Sequence, residues 1–147
     1  MSYDSQREPA TAVCCFHLFT ARGLIPLVGE HSSPFFSVVI PTRNRAYLAR
    51  MSAAHVLAQD FGNLELIILQ NSDDRDLSTA EFTDVRCRVD SAATVLSMRD
   101  NWERALDIVK GQFVMFLSDK DMLLPGALRR IASAIKKANA DMLNYRK

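Results

Sequence analysis

Apolar and polar positions along the chain change from an irregular pattern to a regular one near residue 36. The first 35 residues show no clear period, and we interpret residues 1–35 as an irregular extension packed on the domain. The β-branched apolar run FFSVVIPT is stopped by Pro41, which predicts a buried strand ending near Ile40. LELIIL predicts a second strand, VRCRV a third with Val85, Cys87 and Val89 on one face, and QFVMFL a fourth. ADMLNYRK begins a fifth.

Three predicted helices alternate with these strands. In each, apolar residues recur three or four positions apart, which is the spacing of one helix face. Ser97 is the expected N-cap of the second helix, and Pro125 fits the first turn of the third. The predicted inward faces, in chain order, are Tyr47, Met51, Ala54, Ala58 and Phe61; Met98, Trp102, Ala105, Leu106 and Val109; and Leu124, Leu128, Ile131, Ala132 and Ile135.

This alternation, with strands that are apolar on both faces, predicts an α/β fold. The expected architecture is a Rossmann-like, mostly parallel sheet with helices on both faces. In such doubly wound sheets, ligands bind beyond the carboxyl ends of the strands, where the strand order reverses. The first and fourth predicted strands are the usual neighbours at that point. Their carboxyl ends read PTRNR and SDKD, so we expect a binding site there.

Composition narrows the class of function. The length of 147 residues suits one domain, and a net charge of +1 argues against a nucleic-acid partner, since such proteins neutralise many phosphates. Three cysteines without a CxxC pair predict neither a zinc site nor a disulfide framework, which favours a cytoplasmic location. No apolar run reaches the ~18 residues of a spanning helix. The segment TAVCCFHLFTARGLIPLVG leaves a peripheral membrane contact open.

Asp119 and Asp121 directly follow the fourth predicted strand. In an extended loop, residues two apart point the same way, so the two carboxylates would converge and repel each other. At about 4 Å that repulsion is roughly 4 kcal/mol for an effective dielectric of about 20. Mn²⁺ or Mg²⁺ would reverse it, because these cations prefer oxygen ligands. We therefore predict a divalent-metal site that Lys120 weakens. The alternative is that both carboxylates are charge partners of the next helix.

Three segments of the chain resemble the start of the family 2 glycosyltransferases, which have the GT-A fold. They are FSVVIPTRNRAYL, LELIILQNSDD and LSMRDNWERALDIVKGQFVMFLSDKDMLLPGAL, and the likeness runs from Phe36 to about Tyr145. The resemblance implies that residues 36–147 form the half that binds a nucleotide-diphosphate sugar. In the family an acceptor-binding half with the catalytic base normally follows. We therefore expect a truncated domain that transfers no sugar by itself, with the acceptor and the catalytic base unknown.

The resemblance also implies chemistry and roles for individual residues. The reaction would be inverting glycosyl transfer, in which a base deprotonates an acceptor hydroxyl while the metal stabilises the departing nucleoside diphosphate. Gln70 stands where the family carries an acidic residue that reads the base. The implied nucleotide-binding residues are Pro41, Thr42, Arg43, Asn44, Gln70 and Asn71, and the implied metal ligands are Asp119 and Asp121.

Two other hypotheses remain open. FVMFLSDKDML also resembles the nucleophile loop of haloacid-dehalogenase-like phosphatases, with Asp119 as nucleophile and Asp121 as acid/base. Met122 departs from that pattern, which has Thr or Val. The other hypothesis is a non-catalytic, truncated nucleotide-binding fragment. A truncated sheet would expose an apolar edge, so self-association is also expected.

Overall fold

The computed structural model describes residues 18–20, 33–71 and 76–139. Within these ranges one sheet contains β1 (Leu18–Thr20), β2 (Phe36–Thr42), β3 (Leu64–Gln70), β4 (Cys87–Ser91) and β5 (Phe113–Phe116). The α-helices are α1 (Ala46–Leu57), α2 (Met98–Ile108) and α3 (Ala127–Ala138), and a 3-10 turn spans Thr79–Glu81. The predicted fifth strand at residues 140–147 lies outside the described residues.

The sheet is mostly parallel, as predicted. Its strand order is β1-β5-β2-β3-β4. β2 pairs in parallel with both β3 and β5, and β4 pairs in parallel with β3. Chain order therefore reverses between β2 and β5, which are the first and fourth strands predicted from the sequence. The carboxyl ends of these two strands lie side by side at the switch point.

Both edges of the sheet carry pairing that the sequence did not reveal. The expectation of an irregular extension is wrong for Leu18–Thr20, which pair antiparallel with Phe113–Met115. An uncovered β5 would leave a row of unpaired backbone groups, and β1 satisfies them. On β4, the Thr79 hydroxyl accepts from the Val89 N–H at 2.9 Å and donates to its carbonyl at 3.3 Å. Self-association through a bare edge stays a prediction.

Helices cover both faces of the sheet, as predicted. Successive strand residues point to opposite faces, so each strand contributes to two cores. Residues of α1 and α3 pack on one side with Val38, Leu66 and Met115. On the other side, Trp102 and Ala105 of α2 pack with the opposite faces of β2, β3 and β5, contributed by Val39, Leu69, Val114 and Phe116.

The predicted inward face of α1 is wrong within the helix, although Phe61, which follows the helix, packs against the core as predicted. Tyr47 is 70% exposed and Met51 is 40% exposed. The buried face instead consists of Ala49, Ser52, Ala53 and Val56. Most of the helix circumference is apolar, so residue spacing alone does not single out one face. The small residues at 49, 52 and 53 let the helix lie close to the sheet, which the bulky Tyr47 would prevent.

Other helix predictions are confirmed in part. In α3 the four predicted positions from Leu128 to Ile135 are buried, but Leu124 is half-exposed and the helix begins only at Ala127, after Pro125. In α2 Ala105 is buried, whereas Met98 and Leu106 are exposed. Ser97 is its N-cap, as predicted, and accepts from the Asp100 N–H at 3.1 Å.

Two strand boundaries also differ from prediction. Val85 is fully exposed and precedes β4, which begins at Cys87. β2 continues through Pro41 to Thr42. Val39 accepts from the Leu117 N–H of the chain that follows β5, and Pro41, two residues later, faces the same side beyond the paired part of that strand. Proline is tolerated there because no strand N–H is needed.

Candidate functional site

A cavity of about 320 Å³ opens at the carboxyl ends of β2, β3 and β5. Its volume lies in the range of small-molecule sites, about 300–1,000 Å³. It occupies the switch point at which a ligand site was predicted. The residues that line it are Pro41, Thr42, Arg43, Arg45, Asn71, Leu96, Met98, Asn101, Trp102, Phe116, Leu117, Ser118 and Asp119.

Asp119 is the buried acidic group of this cavity. Its side chain is 1% exposed, and its Oδ2 accepts hydrogen bonds from Thr42 Oγ1 and Arg45 Nε, both at 2.8 Å. Its other oxygen, Oδ1, is buried and has no hydrogen-bond partner within the described residues. Leaving such an acceptor unsatisfied costs about 1–3 kcal/mol. Asp119 therefore retains an oxygen that a ligand or cation would satisfy.

The expected extended loop around Asp121 is wrong. The Asp121 N–H donates to the Ser118 carbonyl at 2.9 Å and closes a turn with Asp119 and Lys120 at its centre. The hydroxyl of Ser52 in α1 donates to the Asp121 carbonyl and fixes the turn against that helix. The alternation of an extended chain does not apply in a turn. Asp119 lines the cavity and Asp121 does not, so the joint metal site and the effect of Lys120 stay predictions.

A divalent cation fits this site in one specific way. Among the described residues there is no cluster of three or more His, Cys, Asp or Glu that could hold a metal. Mg²⁺ often binds proteins through one or two carboxylates, with substrate phosphates and water completing its shell. Asp119, with its unpartnered oxygen, suits that mode.

Asn71 builds the cavity wall. Its Oδ1 accepts from the Leu96 N–H at 2.8 Å, and its Nδ2 donates to the Leu96 carbonyl at 3.0 Å. Its backbone N–H donates to the Thr42 carbonyl at 2.9 Å. Asn71 thus ties the loop before α2 to the end of β2. Gln70 is buried, accepts from Ser91 Oγ at 3.4 Å and does not line the cavity, so its base-reading role stays a prediction.

The predicted residues after β2 divide into two groups. Pro41, Thr42 and Arg43 line the cavity. Asn44 is exposed and does not line it, and its φ of 54° turns the chain toward α1. Asparagine adopts this left-handed conformation more readily than most residues. The structure therefore gives Asn44 a role in the turn, and its predicted contact with nucleotide is untested.

Asn101 of α2 also lines the cavity. It is 4% exposed, and its Oδ1 accepts from Arg104 Nη2 at 3.1 Å. Arg104 also forms an ion pair with Asp90 of β4. The amide nitrogen of Asn101 has no partner among the described residues, so one donor is left for a ligand. Its position one turn before Ala105, on the inward face of α2, was the available signal.

The sequence profile of Glycosyl transferase family 2 matches residues 37–146. The chain belongs to this family. This family 2 chain is 32% identical over 114 residues to GalNAc(5)-diNAcBac-PP-undecaprenol beta-1,3-glucosyltransferase of Campylobacter jejuni, a match that covers 72% of the chain and 35% of the relative. It is 26% identical over 113 residues to UDP-Glc:alpha-D-GlcNAc-diphosphoundecaprenol beta-1,3-glucosyltransferase WfgD of Escherichia coli, covering 74% of the chain and 45% of that relative.

Solved structures agree on the fold. The crystal structure of Staphylococcus aureus TarS 1-349 superposes with a TM-score of 0.65 at 24% identity, covering 72% of this chain and 33% of that one. The same TarS region in complex with UDP-GlcNAc gives a TM-score of 0.63 at 24% identity, covering 72% and 32%. The GT-A fold expected of a family 2 glycosyltransferase is confirmed. The chain spans about a third to just under half of the length of the relatives described here.

These matches also bear on the open hypotheses. The family match favours a glycosyltransferase-type domain over the haloacid-dehalogenase-like phosphatase, since the whole region from β2 to beyond α3 fits the family 2 profile. As for membranes, none of the helices in the described ranges has the length and apolar character needed to cross a bilayer.

Proposed function

We propose that this chain binds a nucleotide-diphosphate sugar in the cavity and serves as the donor-binding part of an inverting glycosyltransferase. The observation that carries the proposal is Asp119, a buried carboxylate with an unpartnered oxygen at the switch point of the sheet. Around it, Thr42, Arg43 and Arg45 bring hydroxyl and guanidinium donors to the same cavity.

This combination of donors and one carboxylate suits a diphosphate with a bound cation. Guanidinium groups recognise phosphate oxygens by charge-assisted hydrogen bonds. A lone carboxylate beside a diphosphate would repel it, because like charges at short range raise the energy. A divalent cation held by Asp119, with Asp121 as its proposed second ligand, would remove that repulsion and neutralise the departing nucleoside diphosphate.

Relatives suggest the donor and acceptor classes. The TarS structure contains UDP-GlcNAc, and the two curated relatives are named as glucosyltransferases with undecaprenol-diphosphate substrates. We propose that the donor of this chain is likewise a UDP-sugar and that its acceptor is a lipid diphosphate. A cytoplasmic location with peripheral contact to the membrane belongs to the same proposal, because a lipid-linked acceptor lies at the membrane surface.

In the proposed reaction a sugar passes from the nucleotide donor to a hydroxyl of the acceptor. The acceptor hydroxyl attacks the anomeric carbon, a general base takes its proton, and the bond from that carbon to the diphosphate oxygen breaks. Thr42, Arg43 and Arg45 would orient the diphosphate, and Trp102 with Asn71 would bound the cavity. We assign no general base among the described residues.

Calorimetry with UDP and GDP, each with and without Mn²⁺, tests the proposal. We expect UDP to bind with Mn²⁺, and Asp119→Asn to weaken that binding at least about tenfold, equivalent to 1.4 kcal/mol. The UDP affinity of Asp121→Asn in the presence of Mn²⁺ tests whether Asp121 is the second ligand of the cation. Asp60→Asn is the matched control, because Asp60 is exposed and pairs with Arg129 away from the cavity. Equal UDP affinity with and without Mn²⁺ would exclude a role for the cation in UDP binding. Unchanged UDP affinity in Asp119→Asn would exclude this cavity as the UDP site.

A further inference from the structure

Arg45 holds the carboxylate that a divalent cation would need. Its Nε lies 2.8 Å from Asp119 Oδ2, and Thr42 Oγ1 donates to the same oxygen at 2.8 Å. Oδ2 thus already accepts two hydrogen bonds, and Oδ1 is shielded from solvent. A cation bound at the unpartnered Oδ1 would share the carboxylate with the Arg45 guanidinium, and a cation held by both oxygens would have to displace Arg45 from Oδ2.

We infer that Arg45 is an exchangeable internal counter-cation of Asp119. It releases the carboxylate when a nucleoside diphosphate binds and takes over its guanidinium, and a divalent cation then occupies Asp119. This inference rests on the proposed function. It gives Arg45, the last residue of the PTRNR segment at which the site was expected, a role in the order of binding.

The two partners differ in how easily each can move. The Asp119 side chain is 1% exposed, whereas that of Arg45 is 42% exposed. Arg45 can therefore turn into the cavity without disturbing the core. Its contact with Asp119 uses Nε alone, and its two Nη groups have no hydrogen-bond partner among the described residues. Those groups form the fork that binds phosphate oxygens in pairs.

Charge favours the exchange. A guanidinium and a divalent cation on the same carboxylate repel each other, so each disfavours the other. Without nucleotide, a cation on Asp119 either shares the carboxylate with Arg45 or displaces the guanidinium when no phosphate is present to pair with it. With a diphosphate present, the released guanidinium gains a stronger partner than it lost. The nucleotide and the cation consequently raise each other's affinity by the same factor, as linkage requires.

Electron paramagnetic resonance of Mn²⁺ with the full chain tests this directly, without measuring activity. The variants are Arg45→Gln and its matched control Arg43→Gln. Arg43 lines the same cavity and carries the same charge but forms no hydrogen bond or ion pair with Asp119. In the absence of UDP, we expect Arg45→Gln to bind Mn²⁺ at least about tenfold more tightly than wild type. Arg43→Gln should gain clearly less, and adding Asp119→Asn to Arg45→Gln should abolish the gain.

The outcomes separate this inference from the function on which it rests. If UDP-dependent Mn²⁺ binding is present but Arg45→Gln without UDP binds like wild type, Arg45 is no competitor. If Mn²⁺ binds none of the proteins with or without UDP, the proposed metal site is wrong and the exchange falls with it. Should Arg45→Gln fail to fold, wild type decides alone: equal Mn²⁺ affinity with and without UDP overturns the exchange.

Discussion

The indole of Trp102 lies flat on the ring of Phe116, with ring centroids 4.6 Å apart and 6° between the ring planes. The stack joins the first half of α2 to the end of β5. Aromatic pairs contribute about 0.5–1.5 kcal/mol beyond the area they bury. Both rings line the cavity, so the contact that holds the helix on the sheet also forms the apolar part of the site.

Trp102 is the single tryptophan of the chain and thus a built-in reporter of the cavity. We expect UDP with Mn²⁺ to change the intrinsic fluorescence, because a ligand in the cavity displaces water from the exposed part of the indole. The change should saturate at the affinity measured by calorimetry and should require about tenfold more UDP in Asp119→Asn, matching 1.4 kcal/mol. If calorimetry detects UDP binding but the Trp102 emission does not change, UDP binds outside this cavity.

Arg104 should matter more than a neighbouring arginine on the same helix. It bonds both Asn101 and Asp90 and is mostly buried, whereas Arg99 forms an exposed pair with Glu103. We expect Arg104→Gln to lower the free energy of unfolding by about 1–3 kcal/mol, because the buried Asn101 oxygen and the partly exposed Asp90 carboxylate lose their donor. Arg99→Gln should change it by less than about 1 kcal/mol. Urea unfolding measures both, and equal effects would contradict the assigned role.

Arg104→Gln should also weaken UDP binding, because it frees Asn101 to turn its amide away from the cavity. Calorimetry on the folded variant measures this effect separately from stability. Full UDP affinity in Arg104→Gln would show that the Asn101 amide does not contact the nucleotide, whatever the change in unfolding free energy.

Gly111 lies where the chain enters β5 and passes very close to β2. A Cβ there would come within 2.5 Å of the Ser37 backbone nitrogen and 2.7 Å of the Phe36 carbonyl carbon. The Gly111 N–H also donates to Ser37 Oγ at 2.8 Å. Backbone atoms cannot yield cheaply, so Gly111→Ala should destabilise the fold by at least about 1–3 kcal/mol.

Gly62 provides the control for this close approach, because a Cβ there meets no atom within 4 Å. We expect Gly62→Ala to be neutral or slightly stabilising, since it reduces the freedom of the unfolded chain. Thermal unfolding of both variants and wild type, compared by melting temperature, measures the two effects. Comparable melting temperatures for Gly111→Ala and wild type would mean that β5 can shift away from β2.

The sheet was predictable because buried parallel strands carry long β-branched runs that polar turns interrupt. The position of the site followed from that order, since chain reversal brings the ends of β2 and β5 together. The face of α1 was not predictable, because the choice depends on how closely Ala49 and Ala53 let the helix approach the sheet.

The partners of Asp119 were equally hidden in the sequence. Thr42 and Arg45 lie 77 and 74 residues away along the chain, and their convergence is a product of tertiary structure. A turn closed by the Asp121 N–H and the Ser118 carbonyl replaces the expected extended loop, and the hydroxyl of Ser52, distant in sequence, donates to the Asp121 carbonyl. The local sequence identified Asp119 as a candidate ligand, but only the fold shows that its side chain pairs with Arg45.

The ion pair between Asp84 and Arg86 predicts that the stability of the fold depends on pH. Arg86 donates from Nε to Asp84 Oδ1 at 2.9 Å and from Nη2 to Oδ2 at 2.6 Å. Its Nη2 also donates to the Leu57 carbonyl at the end of α1, at 3.2 Å. These hydrogen bonds from Arg86, aided by its N–H, lower the pKa of Asp84 from 3.8 to about 2. Asp84 therefore helps to hold the end of α1 against the start of β4.

A carboxyl group whose pKa is lower in the folded state contributes stability above its unfolded pKa and loses it as pH falls through the folded value. For Asp84 this window runs from about pH 4 down to about 2. We therefore expect Asp84→Asn to be less stable than wild type at pH 6, with the difference narrowing as the pH falls toward 2. Urea unfolding of both proteins at several pH values measures it, with Asp60→Asn as an exposed control. A difference between Asp84→Asn and wild type that stays constant from pH 6 to about 2 would show that the Asp84 carboxylate charge plays no part in holding α1.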